Sequence, residues 1–247
     1  AADLGIGIVA VQVIIGGKAY DETDDAQAME VVAALRDRQL VTTSRPTPVS
    51  FLRAYRQAQS DGASGVVALT LSAEMSSTYD SAVVAASEAG LPVEVVDSRS
   101  VAMGLGFAAV SAARVAAAGG SVERVAAVAA ARAAAVSVLF YVDDLEYLRR
   151  GGRIGGARAA LGQVLQVKPL LHVVDGSVDV LEQVRTAGKA LARLADLAVE
   201  LAGTADVDVA VQHLAAPDRA AGLAGELRRR LPAARVVEGV VGGVVGA

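Results

Sequence analysis

Hydrophobic runs of strand length alternate with amphipathic helical patterns along the first half of the chain. Continuous apolar runs, typical of buried parallel strands, predict strands over residues 6–15, 66–71 and 91–96. Apolar positions at helical spacing predict helices after residue 24, from Pro48, from residues 76–78, and over 101–118 and 122–135. This alternation favours a mostly parallel sheet with helices packed on both faces.

Polar residues and proline mark the expected starts of several helices. Asp24-Asp25 predicts an N-cap for the first helix, whose apolar face is expected to carry Met29, Val32 and Leu35. Thr47-Pro48 combines an N-cap residue with proline at the first helical position. The second helix is therefore predicted to begin there.

The pattern changes after residue 135. A strand is expected over 136–142, followed by a basic, glycine-dense loop at 149–156 between short helices. Apolar runs at 168–174 and 177–184 flank Asp175-Gly176, which predicts a β-hairpin. A helix at 187–201, a strand at 207–211, a helix at 218–231 and a strand at 235–241 complete the prediction. We expect an α/β protein of two domains, residues 1–135 and 136–247, with both chain ends truncated.

Composition excludes several classes of protein. Hydrophobic residues make up 53% of the chain and charged residues 20%, so an intrinsically disordered chain is excluded. A net charge of −4 and only eight aromatic residues argue against nucleic-acid binding. No stretch has the roughly 20 uncharged residues that a membrane span needs, and a cytoplasmic location is favoured.

Candidate catalytic and metal-binding residues are sparse. The chain has no cysteine and two separate histidines, His172 and His213, which are interpreted as structural residues. Asp24-Asp25 and Asp143-Asp144 each precede a helical pattern, so they are interpreted as helix caps rather than metal ligands. No Gly-x-Ser-x-Gly elbow or phosphate-binding Walker motif is present. We therefore predict no catalytic residue, no metal and no cofactor.

Two hydroxyl-rich segments, residues 42–47 and 71–78, each follow a predicted strand and enter a predicted helix. At the carboxyl ends of parallel strands, unpaired N–H groups, helix N-termini and hydroxyl groups attract anions. Neither segment has the glycines and lysine of a phosphate cradle, and Glu74 would oppose a doubly charged group. A monoanionic carboxylate is the favoured ligand, and ordinary helix capping is the alternative explanation of each segment.

Several motifs, in order along the chain, resemble the DegV family of bacterial fatty-acid-binding proteins. They are Thr43-Ser44-Arg45-Pro46-Thr47, Leu71-Ser72-Ala73-Glu74-Met75-Ser76-Ser77-Thr78-Tyr79-Asp80, Val96-Asp97-Ser98-Arg99-Ser100, Leu145-Glu146-Tyr147-Leu148-Arg149-Arg150-Gly151-Gly152-Arg153-Ile154-Gly155, Lys168-Pro169-Leu170-Leu171 and Val184-Arg185-Thr186. The resemblance implies a two-domain α/β fold that holds a long-chain fatty acid in an internal tunnel. It places the carboxylate at Thr43 and Ser76, with Ser44 adjacent to Thr43.

The resemblance also implies a partner. Members of the family act as the acyl-carrying subunit of a separate fatty-acid kinase, which forms an acyl phosphate, so the carrier itself is not an enzyme. Arg153 and Arg185 match positions on the surface that meets the kinase. A regulatory module that senses a carboxylate, and a small-molecule kinase or transferase with its own nucleotide site, are the alternatives.

This sequence departs from the family pattern at a few positions. An Asp-Ser-Thr strand end at the start and a His-x-Gly-Pro-Gly motif near the end are absent, which we attribute to truncation. Arg45 replaces a commoner glutamine, and Ala73 and Ser77 replace a serine and a glycine. These changes bear on the fine geometry of the site.

Overall fold

The computed structural model describes residues 2–22, 25–143, 145–153 and 167–246. In these ranges the strands are β1 Gln12–Ile15, β2 Lys18–Asp21, β3 Val41–Ser44, β4 Val66–Thr70, β5 Val93–Asp97, β6 Leu139–Tyr141, β7 Lys168–Val174, β8 Ser177–Val184, β9 Asp208–His213 and β10 Arg235–Val240. The α-helices are α1 Asp25–Arg36, α2 Pro48–Ser60, α3 Thr78–Ala86, α4 Met103–Ala117, α5 Val122–Ala134, α6 Glu146–Gly151, α7 Ala187–Ala202, α8 Pro217–Arg230 and α9 Gly243–Gly246. The predicted positions of Asp24, Asp144 and residues 154–156 lie outside the described residues.

The chain divides into two compact units. Unit 1 comprises residues 1–23 and 43–136, and unit 2 comprises residues 24–42 and 137–247. Residues 24–42, which the sequence analysis assigns to the first domain, thus group with the second half of the chain. Thr43 and Ser76 both belong to unit 1.

Unit 1 is built around the parallel strands β4 and β5. Thr70 at the end of β4 is paired with Asp97 at the end of β5. Helices cover both faces of this strand pair, as the apolar runs predict. One face carries Val66, Ala68, Val93 and Val95, packed against Phe51, Tyr55, Ala82, Ala85 and Ala89. The other carries Val67, Leu69 and Val96, packed against Ala112, Val125 and Ala129.

The start of α2 confirms the sequence prediction. Thr47 has extended backbone geometry and its Oγ1 accepts a hydrogen bond from the Ser50 N–H at 3.2 Å. Pro48 occupies the first helical turn, where its missing N–H costs nothing. On the buried side of the helix, the Tyr55 hydroxyl donates to the Ala82 carbonyl oxygen at 3.3 Å. These contacts fix the segment that follows Thr43 and Ser44.

Unit 2 contains an antiparallel sheet in the order β6-β7-β8 and a parallel pair, β9-β10. The predicted hairpin is present: Asp175 and Gly176 have φ angles of +51° and +82° and join β7 to β8. Leu170 is fully buried beneath α7 with Leu194 and Leu197. The β9-β10 pair packs against α7 and α8 through a second apolar cluster.

Two sequence predictions for the first part of the chain are corrected. Residues 6–11 are not a strand, because only Gln12–Ile15 of the apolar run pairs, and it forms a hairpin with β2 across Gly16 and Gly17. Of the predicted apolar face of α1, Val32 is buried and Leu35 is half-buried, but Met29 is 53% exposed, whereas Ala28 and Val31 are buried. The buried face of α1 is therefore rotated from the predicted one towards its small residues.

The basic segment after β6 is also different from its prediction. Arg149 and Arg150 belong to α6, so the loop begins only at Gly152, which ends the helix with a φ angle of +72°. Asp143 does not cap α6, since the N-cap residue is Leu145. The Asp143 carboxylate instead accepts a hydrogen bond from Arg219 at 2.7 Å.

Candidate functional site

Buried hydroxyl side chains lie at and just after the carboxyl ends of β4 and β5 and in the first half of α3 in unit 1. These side chains are almost completely excluded from solvent, although each carries a hydroxyl group. They are Thr70, Ser72, Thr78, Ser81, Ser98 and Ser100. Buried polar groups are costly unless they are hydrogen-bonded, so such a cluster marks a part of the structure with more than a packing role.

Backbone hydrogen bonds join the loop after β4 to the loop after β5. The Ser98 N–H donates to the Thr70 carbonyl oxygen at 3.1 Å, which extends the pairing of the strands beyond Asp97. The Ser72 N–H donates to the Ser100 carbonyl oxygen at 2.9 Å. The two loops are therefore held together as one structure, the strand-end loops, residues 71–77 and 98–102.

The loop after β5 has an unusual backbone. Arg99 and Ala102 have φ angles of +49° and +52°, a region that residues with a Cβ rarely adopt. The loop also contains an internal hydroxyl bridge, in which Ser98 Oγ accepts from the Ser100 N–H at 3.2 Å. Left-handed conformations at non-glycine residues persist where surrounding contacts enforce them, and they concentrate at functional sites.

Ser76, predicted to bind a carboxylate, lies in the loop after β4, just before α3, and is half-buried. Its Oγ lies 2.8 Å from Thr78 Oγ1 and accepts the Thr78 N–H at 3.3 Å. The Ser76 N–H donates to the Ser72 carbonyl oxygen at 3.1 Å. The hydroxyl is therefore held beside the first turn of α3, whose N–H groups and dipole favour a negative charge.

Thr43 and Ser44, the other predicted carboxylate ligands, are the last two residues of β3 rather than part of the loop after it. Both are half-buried. Ser44 Oγ donates to the carbonyl oxygen of the next residue, Arg45, at 3.4 Å. Because this hydrogen bond is local, the position of Ser44 is determined by strand β3. Thr43 therefore lies in the last part of β3 and Ser76 in the loop after β4, and both belong to unit 1.

Arg153 and Arg185, the predicted partner surface, are both exposed residues of unit 2. Arg153 follows the end of α6, and its Nη1 donates to the Gly151 carbonyl oxygen at 2.8 Å. Arg185 directly follows β8, whose last residue, Val184, pairs with Lys168. Arg185 and Lys168 therefore stand at the same end of the β7-β8 hairpin.

An ion-pair cluster around Asp143 lies near this end of unit 2. The carboxylate contacts Arg219 at 2.7 Å and Lys168 at 3.8 Å, and Tyr141 donates its hydroxyl hydrogen to Asp143. The hydrogen bond from Tyr141, followed by Arg219, holds the pKa of Asp143 below its usual value. Burial and the neighbouring carboxylate raise the pKa of Tyr141 to about 12.

Other parts of the described chain offer weaker candidates for a functional site. In the described residues, no three His, Cys, Asp or Glu side chains are grouped so that they hold a metal ion. His213 is structural, since its Nδ1 accepts the Ala216 N–H at 3.3 Å beside the start of α8.

A surface depression of about 340 Å³ on α2 is lined by Val49, Leu52, Arg53, Arg56 and Gln57, and includes none of the predicted ligands. Over the same described part of the chain, no helix combines the length and apolarity of a bilayer-crossing segment.

The sequence analysis includes Ser72 in the hydroxyl-rich segment 71–78 and quotes Asp97, Ser98 and Ser100 in a family motif, but it gives none of them a role of its own. Asp97 Oδ1 accepts the N–H groups of Arg99 and Ala73, so it contacts both strand-end loops. The signal that was available is the polar run Asp97-Ser98-Arg99-Ser100 directly after a buried strand. Such a run at a strand end is typical of a ligand-binding edge in α/β proteins.

Together, the parallel strand pairs, their flanking helices and the hydroxyl-rich strand ends define an α/β protein with a candidate anion site in unit 1. The chain matches the model of the DegV family, described as uncharacterised proteins, over residues 1–247. It therefore belongs to the DegV family. A DegV domain-containing protein of Streptomyces coelicolor is 51% identical over 244 residues, covering 98% of this chain and 87% of that protein.

Solved structures of the family are similar over almost the whole chain. A DegV family protein from Thermus thermophilus, described by its fatty-acid binding, has a TM-score of 0.91 at 29% identity, covering 99% of this chain and 88% of that one. DegV from Bacillus subtilis, described as a fatty-acid-binding protein, has a TM-score of 0.87 at 28% identity, with the same coverage of both chains. The DegV fold is thus shared with proteins that bind fatty acids.

Proposed function

We propose that this protein binds a long-chain fatty acid in an internal apolar tunnel and presents its carboxylate to a separate fatty-acid kinase. The observation that carries the proposal is the similarity, over 99% of the chain, to the fatty-acid-binding proteins of Thermus thermophilus and Bacillus subtilis. In this proposal the protein is a carrier, and the kinase supplies the phosphoryl-transfer chemistry.

The carboxylate is bound by hydroxyl groups at the strand ends of unit 1. Thr43 and Ser76 are the proposed ligands, with Ser44 beside Thr43. A carboxylate accepts several hydrogen bonds, and donors to a charged group are stronger than neutral pairs. The position of Ser76 before α3 adds the favourable field of a helix N-terminus.

The alkyl chain supplies most of the affinity. Each methylene group that leaves water contributes about 0.8 kcal/mol, so a long chain is bound tightly even when the head group makes few contacts. The head group then determines orientation and selectivity for the acid. This division of roles separates two measurements, the affinity for an alkyl chain and the preference for a carboxylate over an uncharged head group.

The kinase would meet the exposed end of the β7-β8 hairpin and the loop after α6, at Arg185 and Arg153. Both arginines are exposed, and Lys168 stands beside Arg185 at the hairpin end. Exposed basic side chains of this kind steer an acidic partner and contribute to the rate of association.

The experiment is lipid analysis of the purified protein and of matched variants. Denaturing extraction followed by mass spectrometry is expected to release a stoichiometric fatty acid from the wild type. Thr43→Ala and Ser76→Ala are each expected to weaken palmitate binding by about 1–3 kcal/mol, measured by displacement of a fluorescent fatty acid. Ser87→Ala is the control, since Ser87 is exposed and bonds only locally, to the Val84 carbonyl oxygen at 2.8 Å.

Two results would contradict the proposal. A wild-type protein that yields no fatty acid and binds none would exclude the carrier function. ATP binding by the chain alone would favour the alternative of a kinase with its own nucleotide site. Retention of palmitate by the Thr43→Ala and Ser76→Ala double variant at the affinity of Ser87→Ala would remove the carboxylate assignment and leave the carrier function standing.

A further inference from the structure

Asp97, the last residue of β5, accepts two backbone hydrogen bonds at a single carboxylate oxygen. Oδ1 lies 2.9 Å from the Arg99 nitrogen, two residues later, and 3.1 Å from the Ala73 nitrogen in the loop after β4. Hydrogen bonds to an ionised carboxylate are stronger than those between neutral groups. One oxygen atom therefore ties the loop after β5 to the loop that carries Ser76.

The connection continues from Ala73 to Ser76 through Ser72. The Ser72 N–H donates to the Ser100 carbonyl oxygen at 2.9 Å, so Ser72 is also anchored to the loop after β5. The Ser72 carbonyl oxygen accepts the N–H groups of Met75 and Ser76, each at 3.1 Å. The backbone of Ser76 is thus one hydrogen bond away from a residue that is fully buried and bound to the neighbouring loop.

The loop after β5 needs such an anchor. Arg99 has a φ angle of +49°, which is unfavourable for a residue with a Cβ. The hydrogen bond from its N–H to Asp97 Oδ1 closes the turn in this conformation. Without that acceptor, the loop has other backbone conformations of lower intrinsic energy, and the carbonyl oxygen of Ser100 loses its fixed place.

We propose that Asp97 is a positioning residue that sets the place of the Ser76 hydroxyl, and thereby the selectivity of the site for a carboxylate head group. The inference rests on the proposed fatty-acid binding. Asp97 acts through the backbone of Ala73 and Ser72 and needs no contact with the ligand.

The sign of the effect separates positioning from charge. A carboxylate at Asp97 opposes a bound carboxylate, so a role through charge alone predicts tighter binding of the acid whenever that charge is removed. A positioning role predicts weaker binding of the acid when the acceptor oxygen is removed or displaced. Asp97→Asn keeps an acceptor oxygen without the charge, whereas Asp97→Glu keeps the charge and displaces the oxygen by one methylene.

The test measures the affinities of palmitic acid and of hexadecanol, which share an alkyl chain and differ in the head group. In the wild type the acid is expected to bind more tightly. In Asp97→Ala and Asp97→Glu the acid-to-alcohol affinity ratio is expected to fall by about tenfold, the size of one charge-assisted hydrogen bond. Asp97→Asn is expected to keep most of the ratio, and Glu94→Ala, an exposed acidic residue of the same strand, to keep all of it.

A second readout needs no ligand. Amide hydrogen exchange over residues 72–76 is expected to be faster in Asp97→Ala and Asp97→Glu than in the wild type and in Asp97→Asn. If Asp97→Ala does not fold, the comparison of Asp97→Glu with Asp97→Asn decides the question.

The outcomes distinguish this inference from the proposed function. If the wild type prefers the acid and Asp97→Glu keeps both the affinity ratio and the slow exchange, the positioning role is wrong and fatty-acid binding stands. If removal of the charge in Asp97→Asn tightens acid binding and Asp97→Ala does the same, Asp97 acts by repulsion and the inference fails. If the wild type binds no palmitic acid, the proposed function and this inference fail together.

Discussion

The hydroxyl oxygens of Ser76 and Thr78 lie 2.8 Å apart, and the Thr78 N–H also donates to Ser76 Oγ at 3.3 Å. When the Thr78 hydroxyl donates as well, Ser76 Oγ accepts two hydrogen bonds. A serine hydroxyl has one proton to donate, and that proton is then directed away from Thr78. With Thr78 as the donor, its buried hydroxyl orients the Ser76 hydroxyl that is proposed to bind the carboxylate.

Replacing Thr78 by valine tests this arrangement. Valine has nearly the same shape, so the packing at the start of α3 is kept while the orienting hydroxyl is lost. We expect palmitate affinity to fall roughly two- to tenfold, the value of one neutral hydrogen bond. Ser81→Ala, which removes a buried hydroxyl from the same helix, is the control. Equal affinities of the two variants in a displacement assay would show that Thr78 does not orient Ser76.

Arginine variants test the proposed kinase surface. Arg153→Ala and Arg185→Ala are expected to bind palmitate with wild-type affinity, because both side chains are exposed and belong to unit 2. The rate of acyl-phosphate formation by a cognate fatty-acid kinase is expected to fall, with a weaker dependence on ionic strength, since exposed charges act mainly on association. Arg124→Ala on α5, an exposed arginine of unit 1, is the control. Normal turnover of both variants would exclude this surface.

Removing a buried hydroxyl that has no hydrogen-bond partner is expected to stabilise the protein. Thr70 Oγ1 and Ser100 Oγ have no hydrogen-bond partner in the described part of the chain. A buried hydroxyl without a partner costs about 1–3 kcal/mol, and valine suits a strand. We therefore expect Thr70→Val to raise the free energy of unfolding in urea by about 1 kcal/mol.

The Thr78→Val variant is the matched comparison for this measurement. Its hydroxyl has a partner in Ser76, so the same chemical change is expected to lower the free energy of unfolding. A loss of stability in Thr70→Val equal to that in Thr78→Val would mean that the Thr70 hydroxyl is satisfied in solution.

Tyr55 predicts an alkaline limit to stability. Burial raises the pKa of Tyr55 from its ordinary value of 10.0 to about 12. Above about pH 10 the unfolded chain loses this proton while the folded protein keeps it. The contribution of Tyr55 to the free energy of unfolding is therefore complete below about pH 10 and is lost as the pH rises to about 12. One group whose pKa is raised by about two units contributes about 3 kcal/mol to the free energy of unfolding.

The measurement is urea unfolding at a series of pH values from about 9 to about 12, a range that spans the normal and the raised pKa of tyrosine. Tyr55→Phe is expected to have a shallower decline than the wild type, because its side chain cannot ionise. Tyr141 also has a raised pKa, so part of the slope is expected to remain. Identical slopes for wild type and Tyr55→Phe would contradict the prediction.

Sequence patterns predicted the elements in which local and tertiary preferences agree. Asp175-Gly176 specifies a turn with two positive φ angles, and the structure has both. The strands β4 and β5 were recognisable because they are buried on both faces and read as continuous apolar runs. The structure places Thr43 in the last part of β3 and Ser76 in the loop after β4, both in unit 1, whereas their roles in binding stay predictions.

The hydrophobic pattern gave a wrong prediction where apolar residues are neither buried nor paired in a strand. Ile8 is apolar and 72% exposed, so the run at 6–11 gave a strand signal without a buried face. In α1, the prediction used Met29, Val32 and Leu35; Val32 is buried, but Met29 is exposed and the small residues Ala28 and Ala34 are buried instead. A search for bulky apolar side chains does not detect the alanines of a buried helix face.

The contacts of Asp97 could not be predicted from the sequence pattern for a different reason. Its carboxylate bonds to the backbone of Ala73, which lies 24 residues away, and a backbone N–H leaves no trace in residue type. Only the pairing register of β4 with β5, in which Thr70 stands opposite Asp97, brings the two together. Register is a tertiary property that a single sequence does not specify.

The grouping of residues 24–42 with 137–247 has a consequence for synthesis on the ribosome. Helix α1 emerges long before α9, although the site of Gly243 in α9 leaves no room for a Cβ beside Val31 of α1. Residues 43–136 of the other unit are therefore synthesised between α1 and the remainder of its own unit. A stop codon near residue 136 would leave α1 without that remainder.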